Sequence, residues 1–257
     1  MTEPVFRFIE WNRGGWILRG AALSAQGGGG PTPWCIFSHG FTGHHLGPGY
    51  LFARMSRELA TAGISSLRFD YGGCGNSDGT FAEMTVATMK ADLLSAIDLV
   101  RKEHNSSAVV VIGHSLGGMI AALVAEIAQG IVLLSPIAEP LGLMQRRKAM
   151  IESGPNLRGF YENGPHELNP QFLDGLRDID PARSLAGAFR GKLLLIQGDC
   201  DKSIAVEESE RYVRAARAAN IETTMHVLRD ADHSYSTVAH FTAVCSTVTS
   251  WVKERFV

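Results

Sequence analysis

The stretch Ala108-Val-Val-Val-Ile-Gly-His-Ser-Leu-Gly-Gly118 decides the fold. Its first five residues are apolar and mostly β-branched, which is typical of a strand buried on both faces of a sheet. The next five fit the pattern G-x-S-x-G, and the Ala-rich run that continues to Gln129 predicts a helix packed on that sheet. This order of strand, tight turn and helix predicts a nucleophile elbow that exposes Ser115. The alternative is a chance match in a chain with 28 glycines.

The composition places the chain among single-domain globular proteins. Its 257 residues, 45% of them hydrophobic, are enough for one α/β domain with a complete core. The net charge of −2 and the lack of a basic run argue against nucleic acid as a partner. No apolar run approaches the ~20 residues that span a bilayer. The first residues lack the basic and apolar pattern of a secretion signal, so we expect a cytoplasmic protein.

The spacing of cysteines and histidines predicts no metal site. The four cysteines form no C-x-x-C pair and no Cys/His ligand pattern, and we expect them to be reduced: Cys35, Cys74, Cys200 and Cys245. Adjacent His44 and His45 cannot share one face of a strand or helix, which disfavours a metal held by both.

The rest of the chain alternates strands and helices after an N-terminal pair of strands. That pair, at 5–11 and 16–23, is joined by a hairpin turn and begins the sheet with antiparallel strands. Residues 26–33 are expected to form a surface connection. Further strands are expected at 34–38, 64–70, 131–134, 192–197 and 221–228, and helices at 50–61, 85–104, 206–220 and 236–256. This alternation predicts an α/β fold with a mostly parallel central sheet flanked by helices.

Residues 136–189 break the alternation. Charged, Gly, Pro and Asn residues alternate there with short apolar clusters, and we expect no strand in this segment. A structureless loop of this length is implausible inside a compact domain, so we predict a small folded cap between two core parts, 1–135 and 190–257. The cap leaves the sheet at its carboxyl end, where α/β proteins bind ligands. Its candidates for substrate contact are Leu143, Met144, Gln145, Leu157, Phe160, Tyr161, Phe172 and Leu173.

An acid and a histidine follow Ser115 in the chain, each in a loop after a predicted strand. Because parallel strands place such loops at one edge of the sheet, Asp201 and His233 can meet the elbow there. His233 would take the serine proton, and Asp201 would orient the imidazole and stabilise its cation.

Three other aspartates compete for the role of the acid. Asp199 lies at the strand end and is the rival of the favoured acid, whereas Asp232 adjoins the histidine and its side chain should diverge from it. Asp70 precedes the serine in the chain, and we expect it to fix a Gly-rich loop by accepting backbone N–H bonds.

The sequence His39-Gly40-Phe41, directly after the strand expected at 34–38, predicts an oxyanion loop. Gly40 lets the backbone approach a ligand, and the Phe41 N–H can join the Leu116 N–H in binding a developing oxyanion. The alternative is an ordinary Gly-rich turn. The residues that we expect to contact substrate around this edge are His39, Gly40, His114, Gln145 and Tyr161.

At these motifs the chain resembles the α/β-hydrolase superfamily, and within it the bacterial feruloyl (cinnamoyl) esterases with a small cap. The motifs that carry the resemblance are 39–43 (His-Gly-Phe-Thr-Gly), 66–70 (Ser-Leu-Arg-Phe-Asp), 75–79 (Gly-Asn-Ser-Asp-Gly) and 113–118. The sequence departs from that family at 71–73, where Tyr-Gly-Gly replaces Phe-Arg-Gly.

The resemblance implies a cofactor-free serine esterase that forms an acyl-enzyme. It implies Ser115, Asp201 and His233 as the catalytic triad, with the N–H groups of Phe41 and Leu116 as the oxyanion hole. The substrate expected from it is a small feruloyl, cinnamoyl, aryl or short-chain ester, and a homodimer is left open.

Other functions use the same fold. Serine rather than aspartate at the elbow argues against a dehalogenase or an epoxide hydrolase. An acyltransferase or a thioesterase would use the same triad with another acceptor or leaving group, and a serine peptidase is a further alternative. A non-catalytic ligand-binding module is disfavoured because all three triad positions are filled.

Overall fold

The central sheet of the computed structural model, which describes residues 4–25, 32–104, 106 and 108–257, has eight strands. Two further strands form a separate hairpin. The predicted surface connection at 26–33 lies, except for its last two residues, outside the described residues. In chain order the strands are β1 (Val5–Arg13), β2 (Trp16–Ser24), β3 (Trp34–Ser38), β4 (Ser65–Phe69), β5 (Val109–His114), β6 (Gly130–Leu134), β7 (Tyr161–Asn163), β8 (His166–Leu168), β9 (Lys192–Gly198) and β10 (Glu222–Leu228).

The eight strands confirm the predicted, mostly parallel sheet. Their spatial order is β1-β2-β4-β3-β5-β6-β9-β10, so the strand that leads into the elbow lies near the middle. Strand β2 is antiparallel to both of its neighbours, and the other pairs run parallel. The carboxyl ends of β3, β4, β5, β9 and β10 therefore share one edge of the sheet, where the predicted site residues follow them.

Helices cover both faces of the sheet. They are α1 (Leu51–Thr61), α2 (Val86–Glu103), α3 (Leu116–Leu123), α4 (Pro140–Arg146), α5 (Lys148–Glu152), α6 (Pro170–Asp174), α7 (Pro181–Ala188), α8 (Val206–Ala218) and α9 (Val238–Phe256). The predicted N-cap of α2 is confirmed, because the Thr85 hydroxyl accepts a hydrogen bond from the Thr88 N–H at 3.1 Å.

Strand β5 is buried on both faces, as its sequence predicts. Val109 and Val111 enter the core on the side of α2, α3 and α8, whereas Val110 and Ile112 enter the core on the side of α1 and α9. Each such side chain contributes about 1.5–3 kcal/mol when it is fully buried. The elbow at the end of this strand is therefore anchored in the core on both faces of the sheet.

The elbow helix is shorter than its apolar run predicts. Helix α3 ends at Leu123 instead of continuing to Gln129, and a short 3-10 turn follows at Ala125–Ile127. Gln129 is held at the start of β5, where its backbone N–H donates to the Val109 carbonyl and its side chain accepts from the Val109 N–H. The chain must turn there to enter β6, and this requirement outweighs helix propensity.

The cap segment, residues 136–189, contains four helices and one hairpin. The expectation of no strand was wrong, because β7 and β8 pair antiparallel around a two-residue turn. Both strands have only three residues, and their polar composition hides them from a pattern search. The last helix of the segment, α7, packs on α3 and α8 of the core. Nowhere in the described part of the chain does a helix combine the length and hydropathy of a bilayer span.

Candidate active site

The turn between β5 and α3 holds Ser115 in a strained backbone conformation. Its φ of 55° and ψ of −119° lie in a region that residues other than glycine rarely adopt. The Ser115 N–H donates to the Leu134 carbonyl at 2.9 Å, which fixes the turn to strand β6. A Cβ atom at Gly117 would lie 2.0 Å from the Ser38 carbonyl oxygen, so only glycine allows this close approach. These are the features of a nucleophile elbow.

Asp201 and His233 are hydrogen-bonded to each other. The His233 Nδ1 lies 2.7 Å from the Asp201 Oδ2, and the Asp201 side chain is completely buried. The other carboxylate oxygen accepts the N–H groups of Ser203 at 2.8 Å and Ile204 at 2.9 Å. Burial alone would raise the pKa of Asp201, but the His233 bond and these N–H donors outweigh it and lower the pKa. The acid therefore stays ionised beside the imidazole.

The rival acid, Asp199, is directed elsewhere. It is exposed and accepts the Asp230 N–H at 2.6 Å. Ligand atoms of Asp199, Cys200 and Asp230 lie within 4.8 Å of one another, but all three residues are exposed and none is among those that line the cavity described next.

Ser115 and His233 line the same cavity, which has a volume of about 460 Å³. A cavity of this size fits a small organic ligand. The residues that line it are His39, Gly40, Phe41, Thr42, Gly43, His44, Gly47, Pro48, His114, Ser115, Ile137, Leu143, Arg147, Lys202, Ser203, Ile204, His233 and Ser234. The elbow, the loop after β3, the loop after β9 and the loop after β10 thus meet at one opening.

The loop after β3 packs directly against the elbow. A Cβ atom at Gly40 would lie 3.3 Å from the Ser115 Cβ, so the glycine lets the two loops touch. The next residue, Phe41, is fixed at the cavity wall by its ring, whose centroid is 5.3 Å from that of Phe81 and 5.6 Å from that of Phe172. Leu116 is the first residue of α3, so its N–H lies among the unpaired donors of a helix N-terminus.

Two buried histidines support these loops. The Nδ1 of His39 is 2.9 Å from the Gly40 carbonyl, which can only accept, and its Nε2 accepts the Tyr71 N–H at 3.2 Å. The Nε2 of His114 lies 2.9 Å from the His233 carbonyl and must likewise donate. Burial lowers the pKa of both His39 and His114 to about 4, so both imidazoles are neutral near pH 7. We therefore regard them as supports for the loops, and His114 in particular holds the His233 backbone.

The departure from the feruloyl esterase pattern at Tyr71 has a structural consequence. The Tyr71 hydroxyl is 2.6 Å from the Ser38 Oγ, and that Oγ donates to the Gly117 carbonyl at 2.8 Å. The buried hydroxyl thus adds a hydrogen bond behind the elbow that phenylalanine cannot make.

Asp70 fixes the Gly-rich loop that follows β4, as the sequence predicts. Its carboxylate accepts the Asn76 N–H at 2.9 Å, the His45 N–H at 2.6 Å and the His45 Nδ1 at 2.9 Å. Burial would raise the pKa of Asp70, but the bonds from His45 and Asn76 outweigh it and lower the pKa.

The cap segment contributes less to the cavity than its sequence suggests. Of the eight cap residues proposed as substrate contacts, Leu143 lines the cavity and the others are not among its lining residues. Gln145 is exposed on α4, and Tyr161 begins the cap hairpin and packs against the core. His39, Gly40 and His114 do line the cavity.

The structure adds lining residues that the sequence analysis missed, notably Arg147, Lys202 and Ser203. The adjacent basic residues at 146–148 are a visible signal, but periodicity alone cannot say which of them faces the site.

The chain belongs to the α/β hydrolase family, whose profile matches residues 35–244. The fold expected from the resemblance is thereby confirmed. Among curated proteins, the esterase EstD of Thermotoga maritima is 28% identical over an alignment 221 residues long that covers 73% of this chain and 51% of EstD. The mitochondrial palmitoyl-protein thioesterase ABHD10 of Mus musculus is 32% identical over 123 residues, which are 47% of this chain and 39% of that protein. The matched part thus spans about half of these relatives or less.

Solved structures share the fold over almost the whole chain. Est1E from Butyrivibrio proteoclasticus, solved with bound ferulic acid, has a TM-score of 0.79 at 20% identity and covers 96% of this chain and 98% of its own. The esterase Pf2001 of Pyrococcus furiosus has a TM-score of 0.74 at 18% identity, and the match covers 99% of this chain and 92% of the Pf2001 chain. At these identities the similarity concerns the fold.

Proposed function

We propose that the protein is a serine carboxylic-ester hydrolase that acts through an acyl-enzyme and needs no cofactor. The observation that carries the proposal is the hydrogen bond of 2.7 Å between the buried Asp201 carboxylate and His233, which lines the same cavity as Ser115. A serine nucleophile that a histidine activates uses these three groups together: the hydroxyl, the imidazole as base and the acid that orients it.

The proposed reaction follows from which nitrogen of the His233 ring carries the hydrogen. Since the Asp201 carboxylate can only accept, His233 Nδ1 carries a hydrogen and Nε2 is the base. Nε2 takes the proton of Ser115 Oγ while Oγ forms a bond to the ester carbonyl carbon. The resulting oxyanion accepts hydrogen bonds from the N–H groups of Phe41 and Leu116.

The proton on Nε2 then passes to the alkoxide oxygen, the ester C–O bond breaks and the alcohol leaves. Water attacks the acyl-enzyme by the same steps, and Ser115 Oγ is the second leaving group.

We propose feruloyl, cinnamoyl, aryl or short-chain esters as substrates. The motifs shared with feruloyl esterases support this class, as does the fold similarity to Est1E, whose solved structure holds ferulic acid. A cavity of about 460 Å³ can accept an aryl acyl group. The second candidate is thioester hydrolysis, favoured by the sequence similarity to a palmitoyl-protein thioesterase. The cytoplasmic location and the homodimer stay predictions.

The test combines turnover with covalent labelling. We expect p-nitrophenyl butyrate to be hydrolysed and a serine-directed fluorophosphonate to label Ser115, as read by mass spectrometry of the modified peptide. Ser115→Ala should abolish labelling and lower kcat by several orders of magnitude. Cys200→Ser is the matched control, because this exposed thiol is outside the cavity lining, and it should keep full activity.

Comparison of methyl ferulate with alkyl and thioester substrates then defines the acyl group and leaving group. Absence of both turnover and label at Ser115 would overturn the proposal, whereas turnover of alkyl esters alone would remove only the hydroxycinnamate class.

A further inference from the structure

The cavity wall carries two cationic side chains and, among the described residues that line it, no carboxylate. Arg147 comes from the cap segment, just before α5, and Lys202 comes from the loop after β9. The two charges therefore approach the cavity from different parts of the chain.

Arg147 is held in a defined position. Its guanidinium carbon lies 4.5 Å from the centroid of the Phe41 ring, and its side chain is half-buried. Such stacking orients a guanidinium. Because Phe41 is also the residue of the proposed oxyanion hole, the cation stands close to the place where the ester carbonyl would bind.

Carboxylates near the cavity have other partners. Asp201 is bonded to His233, and Asp232 accepts the N–H groups of Ser234 and Ser236. These acids are therefore engaged within their own loops. The two imidazoles that support the loops are neutral near pH 7. Arg147 and Lys202 are therefore the side chains that bring positive charge to the described lining of the cavity.

Glu139, on the cap side of the cavity, forms an ion pair with Arg211, which lies on α8. Neither residue is among those that line the cavity, so this pair leaves the charge of the wall unchanged.

We infer that the preferred substrate is an ester that carries a second, anionic group, a carboxylate, which Arg147 and Lys202 bind while the ester lies at Ser115. This inference rests on the proposed ester hydrolase function and narrows its substrate class. A carboxylate that binds to a guanidinium and an ammonium forms charge-assisted hydrogen bonds that a neutral ester cannot make. The anion can belong to the acyl group or to the alcohol.

Two pairs of substrates of matched shape test this. For the acyl side we compare the p-nitrophenyl monoester of glutaric acid with p-nitrophenyl pentanoate. For the alcohol side we compare para-carboxyphenyl butanoate with para-carbamoylphenyl butanoate. In at least one pair the carboxylate-bearing ester should have the higher kcat/KM, by about tenfold. The pair that shows the preference identifies the side on which the anion lies, and added salt should reduce that preference.

Variants assign the preference to the two cations. Arg147→Gln should remove most of it, and Lys202→Gln should lower it by about threefold because that residue is exposed. Arg147→Lys keeps the charge and should keep a clear preference. Lys148→Gln removes the same charge from the neighbouring position of the cap, outside the cavity lining, and should leave the preference unchanged.

The outcomes separate the inference from the function on which it rests. Neutral esters hydrolysed as well as their carboxylate partners in both pairs, or a preference that survives both glutamine variants, would overturn the inference and leave the hydrolase intact. If none of the four esters is hydrolysed and Ser115 takes no phosphonate label, the proposed function fails and the inference fails with it.

Discussion

Two aspartate–histidine pairs lie at the carboxyl edge of the sheet, and they differ in whether the histidine lines the cavity that contains Ser115. In one, Asp201 meets His233 at 2.7 Å; in the other, Asp70 meets His45 at 2.9 Å. Both carboxylates are buried and accept backbone N–H groups. Only His233 shares the cavity with Ser115, whereas His45 is not among the residues that line it. A buried carboxylate that binds the Nδ1 of a histidine can therefore serve structure alone, and we call such a pair a clamp. It can serve catalysis only where the Nε2 of the histidine can reach a nucleophile.

The largest expected difference between the pairs is in turnover. Asp201→Asn should lower kcat by about 10⁴-fold, because an amide no longer stabilises the imidazolium and favours the wrong tautomer of the base. Asp70→Asn should leave kcat within a few-fold of the unmodified protein. Steady-state kinetics on p-nitrophenyl butyrate measures both, and equal losses in the two variants would contradict the distinction between catalytic pair and clamp.

The second difference is in stability. Asp70→Asn should lower the free energy of unfolding by about 1–3 kcal/mol, because the amide cannot accept all of the bonds from His45 and Asn76. Urea unfolding followed by circular dichroism gives the value. Asp98→Asn is the control: this side chain is exposed on α2, and its loss should cost less than about 0.5 kcal/mol. If Asp70→Asn is as stable as Asp98→Asn, the Asp70–His45 pair contributes nothing to the free energy of unfolding.

The third prediction concerns the hydrogen bond that His114 makes to the backbone of His233. His114→Ala removes the hydrogen bond to the His233 carbonyl, so kcat should fall about tenfold while KM changes little. His114→Gln, which keeps an N–H donor, should recover part of the loss. His226→Ala removes an exposed imidazole on β10 and should have no effect. A fall in folding stability without any change in kcat would show that His114 serves the core alone.

The smallest expected effect is the pH dependence of stability. The pKa of Asp70 is lower in the folded protein than in the unfolded chain, so its contribution is complete above the unfolded value, about 3.9, and is lost as the pH falls through the lower folded value. Between pH 6 and pH 3 the unmodified protein should lose more unfolding free energy than Asp70→Asn does. Urea unfolding midpoints of both proteins, measured across this pH range, test the prediction. If the two midpoints fall in parallel as the pH decreases, the prediction is contradicted.

Much of the sheet was predictable because its signals are local. The buried strand before Ser115 and the apolar helix after it identify the elbow, which predicts an acid and then a histidine later in the chain. Because the sheet is mostly parallel, the loops that carry them lie at the same edge as the elbow. Asp70 could be separated from Asp201 in advance because it precedes the serine.

The cap was less predictable because its signals are weak. The residues Gly164-Pro165 favour a turn, but the flanking strands have three residues each and are too short for a period of two to appear. Gln145 and Tyr161 are not among the residues that line the cavity, because the orientation of the short helix and the short strand that carry them depends on tertiary packing. The contacts of Arg147 with Phe41 and of His114 with the His233 backbone join distant parts of the chain, and no local pattern encodes them.

The ring of Phe41 links the cap to the catalytic chemistry. Its neighbours include Phe172 and Arg147, both from the cap segment, while its own backbone N–H is the donor proposed to stabilise the transition state. Any displacement of the cap that admits a ligand would withdraw two of the contacts that immobilise this ring. A cap that is displaced to admit substrate would then leave Phe41 less firmly held. Its N–H would be in place for the oxyanion again only after the cap had returned over the bound substrate.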